Sequence, residues 1–197
     1  MVEHYFTASQ QSHERRITLS TTLRGVHIKL VSASGVFSKS RIDPGSALLI
    51  ESAIIKDGWR VLDLGCGYGP IGITLAKAFP KASFLLTDIN ERAVALAQEN
   101  IQRNKVENAD AKISNGFTEI LEEFDAIVFN PPQTAGKEVC HKLISESFQH
   151  LKKGGLLELV ARHKKGGQSL AVAMKSTFDN VRTIARRSGY HVYASER

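Results

Sequence analysis

From about residue 59 onward the chain alternates short apolar runs with amphipathic helical stretches, and this pattern constrains its fold more than any other feature. WRVLDL, ASFLLTD, AKIS, FDAIVF and LLELVA read as strands at residues 59–64, 82–88, 111–114, 124–129 and 156–161. ITLAKAF (73–79), ERAVALAQENIQRN (91–104), KEVCHKLISESFQHL (137–151) and QSLAVAMKSTF (168–178) read as helices. Asn90 stands where a helix cap belongs, with Glu91 in the first turn behind it, and KKGG at 152–155 stops the helix before it. The chain ends in VRTIARRSGYHVYAS, two strands joined at Ser188-Gly189. Strands and helices in this order predict a doubly wound α/β sheet of seven mostly parallel strands with an antiparallel last strand, crossed by helices on both faces.

The first 57 residues follow a different rule. RITLSTTL (16–23) and VHIKLVS (26–32) alternate apolar and polar residues around Arg24-Gly25, which predicts a hairpin. Asp43-Pro44-Gly45-Ser46 then opens a helix through ALLIESAII (47–55), with Asp43 as its cap and Pro44 at its first position. Residues 1–43 are therefore read as a small N-terminal β extension, an appended sheet or an arm over a ligand cleft, and residues 44–197 as the main domain.

Composition is that of an ordinary water-exposed protein, with 42% hydrophobic and 23% charged residues. No apolar run approaches the roughly 20 residues that cross a bilayer, and MVEHYFTASQQSHERR has no hydrophobic signal core. A cytoplasmic protein with no membrane association is expected. Cys66 and Cys140 make no disulfide framework, and no Cys/His cluster has metal spacing. The net charge of +6 is unevenly spread: residues 137–197 hold 12 Lys/Arg against 5 Asp/Glu, whereas residues 58–136 hold 7 against 10. The excess sits in the pairs at 152–153 and 186–187 and in RHKK at 162–165. Each pair alone is ordinary solvated surface; their sum beside an acidic middle points to a polyanionic partner.

VLDLGCGYGPIG, 61–72, follows the first strand of the alternating part. Gly67-Tyr68-Gly69-Pro70-Ile71-Gly72 matches the dinucleotide pattern G-x-G-x-x-G, with Asp88 at the expected distance. Shifted in frame, the same stretch is Asp63-Leu64-Gly65-Cys66-Gly67-Tyr68-Gly69. A pyrophosphate wants helix N-terminal amides without a carboxylate beside them, and Asp63 would repel it. S-adenosylmethionine has no phosphate but carries an amino group and a sulfonium, both cationic. It suits an acid at the strand tip, acting directly or through water. The expectation is therefore a Rossmann-like S-adenosylmethionine site, with glycines letting the backbone approach the methionine part and Asp88 accepting the ribose hydroxyls.

The fourth strand, FDAIVF, ends in Asn130-Pro131-Pro132. Each proline lacks an amide donor and biases the residue before it away from the helical region, so the corner is stiff and extended. With D-x-G-x-G-x-G, an acid ending the second strand and N-P-P after the fourth, the chain resembles class I S-adenosylmethionine-dependent methyltransferases that modify amino or amide nitrogens. GVFSKSRIDPGSALLIE, 35–51, and the SGYHVYAS finish are similar to ribosomal RNA guanine-N2 methyltransferases of the small methyltransferase domain type, in a compact single-domain branch. That resemblance implies Asp63, Gly65, Cys66, Gly67 and Gly69 around the methionine part, and Asp88 with Ile89 at the ribose and adenine edge. It implies Asn115 and Gly116 beside the adenine, Asn115 standing where relatives carry an aspartate, and Phe37 over the cofactor or simply in the core. Asn130 also belongs to this set.

An exocyclic amine is a poor nucleophile because its lone pair is delocalised into the ring. The Asn130 side-chain oxygen and the Pro131 carbonyl, held rigid by Pro131 and Pro132, are placed to accept its two hydrogens and turn the lone pair toward the methyl donor. No metal and no covalent intermediate are needed. Relatives carry an aromatic residue after the prolines to stack on the base; here it is Gln133, leaving Tyr5, Phe6, Phe37 or Phe117 for that task. Lys137 meets either a phosphate or solvent. The expected substrate is guanine in RNA, ribosomal RNA first, for a monomer or homodimer. The alternatives are a glutamine-amide protein methyltransferase, a DNA adenine methyltransferase, an inactive cofactor-binding subunit, and, remotely, a NAD-dependent oxidoreductase.

Overall fold

The computed structural model describes residues 13–38, 40–132 and 136–197. Tyr5, Phe6, Gln133, Thr134 and Ala135 lie outside the described residues. An antiparallel hairpin comes first, β1 (Arg16–Leu23) and β2 (Val26–Ala33), turning at Arg24-Gly25. There follow α1 (Pro44–Ser52), β3 (Arg60–Leu64), α2 (Pro70–Ala78), β4 (Ser83–Asp88), α3 (Glu91–Arg103), β5 (Ala109–Ile113) and β6 (Phe124–Phe129). The chain finishes with α4 (Lys137–Gln149), β7 (Leu151–Arg162), α5 (Gln168–Phe178), β8 (Arg182–Arg187) and β9 (Tyr190–Glu196).

The large sheet has the order β5-β4-β3-β6-β7-β9-β8. Its strands are parallel except β9, which is antiparallel to both neighbours. Chain order runs outward from β3 to β4 and β5, then restarts on the other side of β3 with β6 and β7. The reversal lies between β3 and β6, and ligands of such sheets sit at the carboxyl ends of the strands at that point. Register makes the placement definite: Leu64 pairs with Phe129 and with Thr87, and Asp88 pairs with Ile113. Gly65, Asp88, Ser114 and Asn130 thus leave the sheet in one row.

Alternation along the strands divides the core in two. Val61, Ala126, Val128 and Val160 face α1, α2, α3 and the hairpin; Leu62, Leu64, Ile127, Phe129 and Leu157 face α4 and α5. The hairpin belongs to the first layer. Ile28, Leu30 and Ala33 are fully buried in that cluster, and Asn100 of α3 with Asn104, the residue just after that helix, act as a substitute strand along β2. The Asn100 side chain accepts from Val31 N–H and donates to its carbonyl at 2.6 and 2.8 Å, and Asn104 does the same for Lys29. Edge amides that would otherwise invite another chain are satisfied there.

Asp43 and Asn90 both cap as expected, accepting from Ser46 N–H at 2.9 Å and from Arg92 and Ala93 N–H at 3.0 and 3.3 Å. Several boundaries differ from expectation, α2 starting at Pro70 and β5 at Ala109, and two differences have a clear physical reason. Helix α1 stops at Ser52, before Ile54 and Ile55, because Ile54 N–H is taken by the Glu158 carboxylate at 2.8 Å. Lys152–Gly155 does not separate α4 from the next strand: β7 already begins at Leu151, opposite Phe124, and the segment is an irregularity within it, with Gly154 in the left-handed region. Among the described residues no helix is long and apolar enough to cross a membrane.

Candidate active site

A cavity of about 420 Å³, within the usual range for small-molecule sites, opens on the carboxyl edge of β3, β4, β5 and β6. Of the residues singled out in the sequence, Gly65, Cys66, Gly67, Asp88 and Ile89 form one part of its wall. Asn115 and Gly116 form a second part, and Asn130, Pro131 and Pro132 a third. Phe37, from the segment between the hairpin and α1, completes the rim with Val36, and 39% of its surface is exposed. The N-terminal extension is therefore both an appended sheet and, through this segment, a part of the cleft.

Asp63 and Gly69 are not in the wall. Parity explains Asp63: it shares a face with Val61, so its side chain enters the layer under α2 and is fully buried. Its Oδ2 accepts from Gly72 N–H at 2.8 Å, and its Oδ1 has no partner among the described residues. Burial pushes its carboxyl up to about 7, against the pull of that N–H. Asp63 is thus an anchor for the start of α2, without direct contact with a ligand in the cavity. Gly69 is the residue before α2, at φ 88°, and a Cβ there would come within 2.6 Å of Ile73. The start of α2 offers a phosphate little: Pro70 has no amide hydrogen, and the Gly72 amide is spent on Asp63. The dinucleotide reading fails on this occupancy as well as on charge.

Asp88 ties the glycine loop to β4. Its Oδ2 accepts from Gly67 N–H at 2.8 Å and its Oδ1 from Asn90 N–H at 2.9 Å. Burial raises its pKa and the surrounding backbone N–H groups lower it. Gly67 sits at φ 56°, and a Cβ there would meet nothing within 4 Å, so its requirement is conformational and the space beside it stays open. With these N–H groups on it, the Asp88 carboxylate still has acceptor capacity for a ligand in the cavity.

The corner after β6 is held from a distance. The Asn130 Nδ2 group donates to Ser46 Oγ at 2.8 Å and to Asp43 Oδ2 at 3.3 Å. A carboxylate only accepts, so it orients the amide: nitrogen toward α1, Oδ1 away from it. Asp43 is held in turn: Tyr190 O–H donates to its Oδ1 at 3.4 Å, and Arg162 Nε donates to the Tyr190 oxygen at 3.0 Å with its guanidinium 4.8 Å over the ring. Gly45 permits this approach, since a Cβ there would lie 2.8 Å from both Asp43 Oδ2 and the Tyr190 ring. The sequence marks Asp43 as a helix cap; its second task needs a partner 87 residues away.

Sequence reasoning missed the α4 wall. Val139, Lys142, Leu143 and Glu146 line the cavity, and a Cβ on Gly116 would lie 2.8 Å from Leu143. Lys142 and Glu146 are an i,i+4 ion pair at 3.6 Å, which in sequence looks like any solvated helix face. Ser46, Tyr68 and Thr118 were missed as well. Phe117 is not available for stacking on a base: it is buried in the second core, its ring stacked on His150 at 4.5 Å. Of the aromatic candidates within the described residues, only Phe37 reaches the cavity.

The chain was compared with known proteins. A family model described as "Methyltransferase small domain" matches residues 27–194. The "Uncharacterized protein YbxB" of Bacillus subtilis is 37% identical over the full length of both chains. The "Ribosomal RNA small subunit methyltransferase C" of Hahella chejuensis is 41% identical over 138 residues, 68% of this chain and 40% of that protein. The chain spans about half the length of the other relatives bearing that name. Among solved structures, the T. thermophilus 16S rRNA N2 G1207 methyltransferase in complex with AdoMet and guanosine superposes with a TM-score of 0.79 at 24% identity, over 92% of this chain and 50% of that one. A methyltransferase from Pyrococcus furiosus gives 0.66 at 25% identity, over 75% of this chain and 79% of that one. The fold superposes on those of these structures, and the chain belongs to the methyltransferase small domain family.

Proposed function

We propose that this methyltransferase acts on the exocyclic amine of guanine in RNA, with ribosomal RNA as its natural substrate. The chain is an S-adenosylmethionine-dependent methyltransferase. The wall fits that cofactor: an open glycine bend at Gly67, a carboxylate at Asp88 with acceptor capacity left, and a start of α2 where Pro70 has no amide hydrogen and the Gly72 amide is taken by Asp63. In this reading Gly65, Cys66 and Gly67 follow the methionine part, Asp88 and Ile89 the ribose, Asn115 and Gly116 the adenine, and Phe37 covers them. Asp63 and Gly69 act one layer back, setting the loop. Bound S-adenosylmethionine supplies an electrophilic methyl group on a sulfonium.

The observation that carries the acceptor assignment is the Asn130 corner. Its Oδ1 is oriented by Asp43, and the Pro131 carbonyl follows on a backbone stiffened by two prolines. Two fixed acceptors at one edge of the cavity take the two hydrogens of an amine and draw its lone pair out of conjugation with the ring. Because they are already in place, little reorganisation is needed as charge builds on the nitrogen. The names of the relatives support RNA as the carrier of that amine, and the basic last third of the chain supports a polyanion.

Asp88→Ala is expected to weaken S-adenosylmethionine binding about 10- to 100-fold, the value of hydrogen bonds to one charged group. Calorimetry would measure it, and an unchanged affinity would remove Asp88 from the site. The substrate is tested with radiolabelled S-adenosylmethionine and separate pools of ribosomal RNA, transfer RNA, DNA and protein. Label is expected in ribosomal RNA and recovered as N2-methylguanosine on digestion. Label in protein at glutamine, or in DNA at adenine, would overturn the assignment, as would cofactor binding with no label in any pool.

A further inference from the structure

The carboxyl end of β7 and the tip of the β8–β9 hairpin carry charges that the site described above does not use. Arg162, the last residue of β7, pairs with Tyr190, which pairs with Arg187; in the next row Ala161 pairs with His191, which pairs with Arg186. The turn after β7 continues with Lys164 and Lys165, and His163 N–H donates to the Gly189 carbonyl at 2.9 Å. That bond joins two chain reversals, so four cations from two separate stretches of the sequence, 164–165 and 186–187, sit on adjoining tips. Lys164, Lys165, Arg186 and Arg187 are all exposed.

Elsewhere among the described residues several basic residues are compensated by ion pairs, although others, Lys29, Lys56, Lys105 and Lys153 among them, are not. Arg16 and Arg103 pair with Glu99, Arg60 and Lys112 with Glu122, Lys81 with Asp57, Lys152 with Asp125, Lys175 with Asp179 and Arg197 with Glu123. Among the described residues none of the four tip cations makes an ion pair within 4.0 Å. Uncompensated like charges on adjoining tips repel one another, and an edge of this kind is matched by a polyanion that crosses both tips. The edge also leads somewhere. From Arg162 a hydrogen-bonded path runs through Tyr190 to Asp43 and then to Asn130, so the tips lie on the flank of the catalytic corner. Beside them His163 and His191 stack with ring centroids 4.1 Å apart, a flat surface between the two tips.

We propose that Lys164, Lys165, Arg186 and Arg187 are the docking surface for the phosphate backbone of the RNA substrate, from which the target base reaches the Asn130 corner. This rests on the RNA reading given above. Contacts to phosphate position a strand without reading its sequence, so the surface sets affinity and register while the cavity selects the base.

The test uses the full chain and purified small-subunit ribosomal RNA, with binding followed as salt is raised. Each phosphate contact contributes a slope of about −0.7 to log K against log salt for single strands. Replacing all four residues by alanine is expected to make the slope shallower by about 2 to 3 and to weaken binding at low salt on the order of 100-fold. S-adenosylmethionine affinity, measured by calorimetry, should be unchanged, which shows that the variant is folded. A control variant, Lys81→Ala with Lys175→Ala, should keep the wild-type slope. If the wild type binds and labels RNA and the fourfold variant does the same with equal slope, RNA docks elsewhere; this proposal falls and the RNA reading stands. If the control loses as much as the fourfold variant, the attraction is general and the proposal also falls. If the wild type neither binds nor labels any RNA, the RNA reading itself fails, and this surface with it.

Discussion

Asn130→Ala is expected to lower kcat about 10²- to 10³-fold while S-adenosylmethionine affinity changes only a few-fold. The magnitude is that of deleting one preorganised hydrogen-bonding group from the site where charge develops. The substitution removes an acceptor from the amine and leaves Asp43 and Ser46 with their remaining bonds, to Ser46 N–H and Tyr190 O–H in the case of Asp43. The loss should therefore appear in turnover and not in folding. Asn130→Asp is the sharper version. It keeps an oxygen acceptor but places a carboxylate where an N–H now faces Asp43 Oδ2 at 3.3 Å. Like charges at that distance repel, so the new side chain cannot hold the geometry. Single-turnover methylation with saturating cofactor is the measurement. An alanine variant that turns over at the wild-type rate would reduce the Asn-Pro-Pro corner to a turn.

The second large effect concerns stability. Glu158 is fully buried on β7, in the layer under α1, with Oε1 accepting from Ile54 N–H at 2.8 Å and Oε2 without a partner among the described residues. Burial pushes its carboxyl up to about 8, outweighing the Ile54 N–H and the more distant charges of Arg24 and Arg182. A carboxyl whose pKa is higher folded than unfolded binds more protons in the folded state. Its contribution is complete below the unfolded value of about 4.3 and is lost as pH rises to the folded one, by about 1.4 kcal/mol per pH unit. Glu158→Gln has no such proton. The stability of the variant relative to the wild type should therefore climb by about 4 kcal/mol between about pH 5 and pH 8, then level. Urea denaturation in steps across that range measures it. A difference that does not vary with pH would show that Glu158 is ionised in the folded protein at all these values. Asp63 acts with the same sign over a narrower window, up to about 7.

Both residues show where local pattern stops. Asp63 and Glu158 look in sequence like single acids in apolar runs, and Asp63 invites assignment to a cationic ligand because it precedes three glycines. Its parity with Val61 was already written in the strand; the helix it faces was not. The same holds for Phe117, an apolar residue near a predicted ligand loop, which the second core takes up through His150. Lys142 and Glu146 lie on a helix whose exposed face is polar for solubility in most proteins. Here its start follows the Asn-Pro-Pro corner closely enough to bring about two turns, Val139 to Glu146, to the cavity.

What the sequence alone determined is the set of properties carried by near neighbours. Periods of two and of 3.6 mark the strands and helices of the α/β alternation. Asp43 and Asn90 start their helices by bonds that span two or three residues. Arg24-Gly25 and Ser188-Gly189 turn the chain, and prolines stiffen the corner after β6. Strand ends follow from these, and in a doubly wound sheet the ends at the reversal make the site. Tertiary structure decided which distant groups meet. Only register and crossover bring Asp43 to Asn130, Tyr190 to Asp43, Glu158 to Ile54 and His163 to Gly189. Local patterns report steric and hydrogen-bonding preferences within a few residues. The orientation of the Asn130 amide and the joining of two basic tips depend on how whole layers settle against one another.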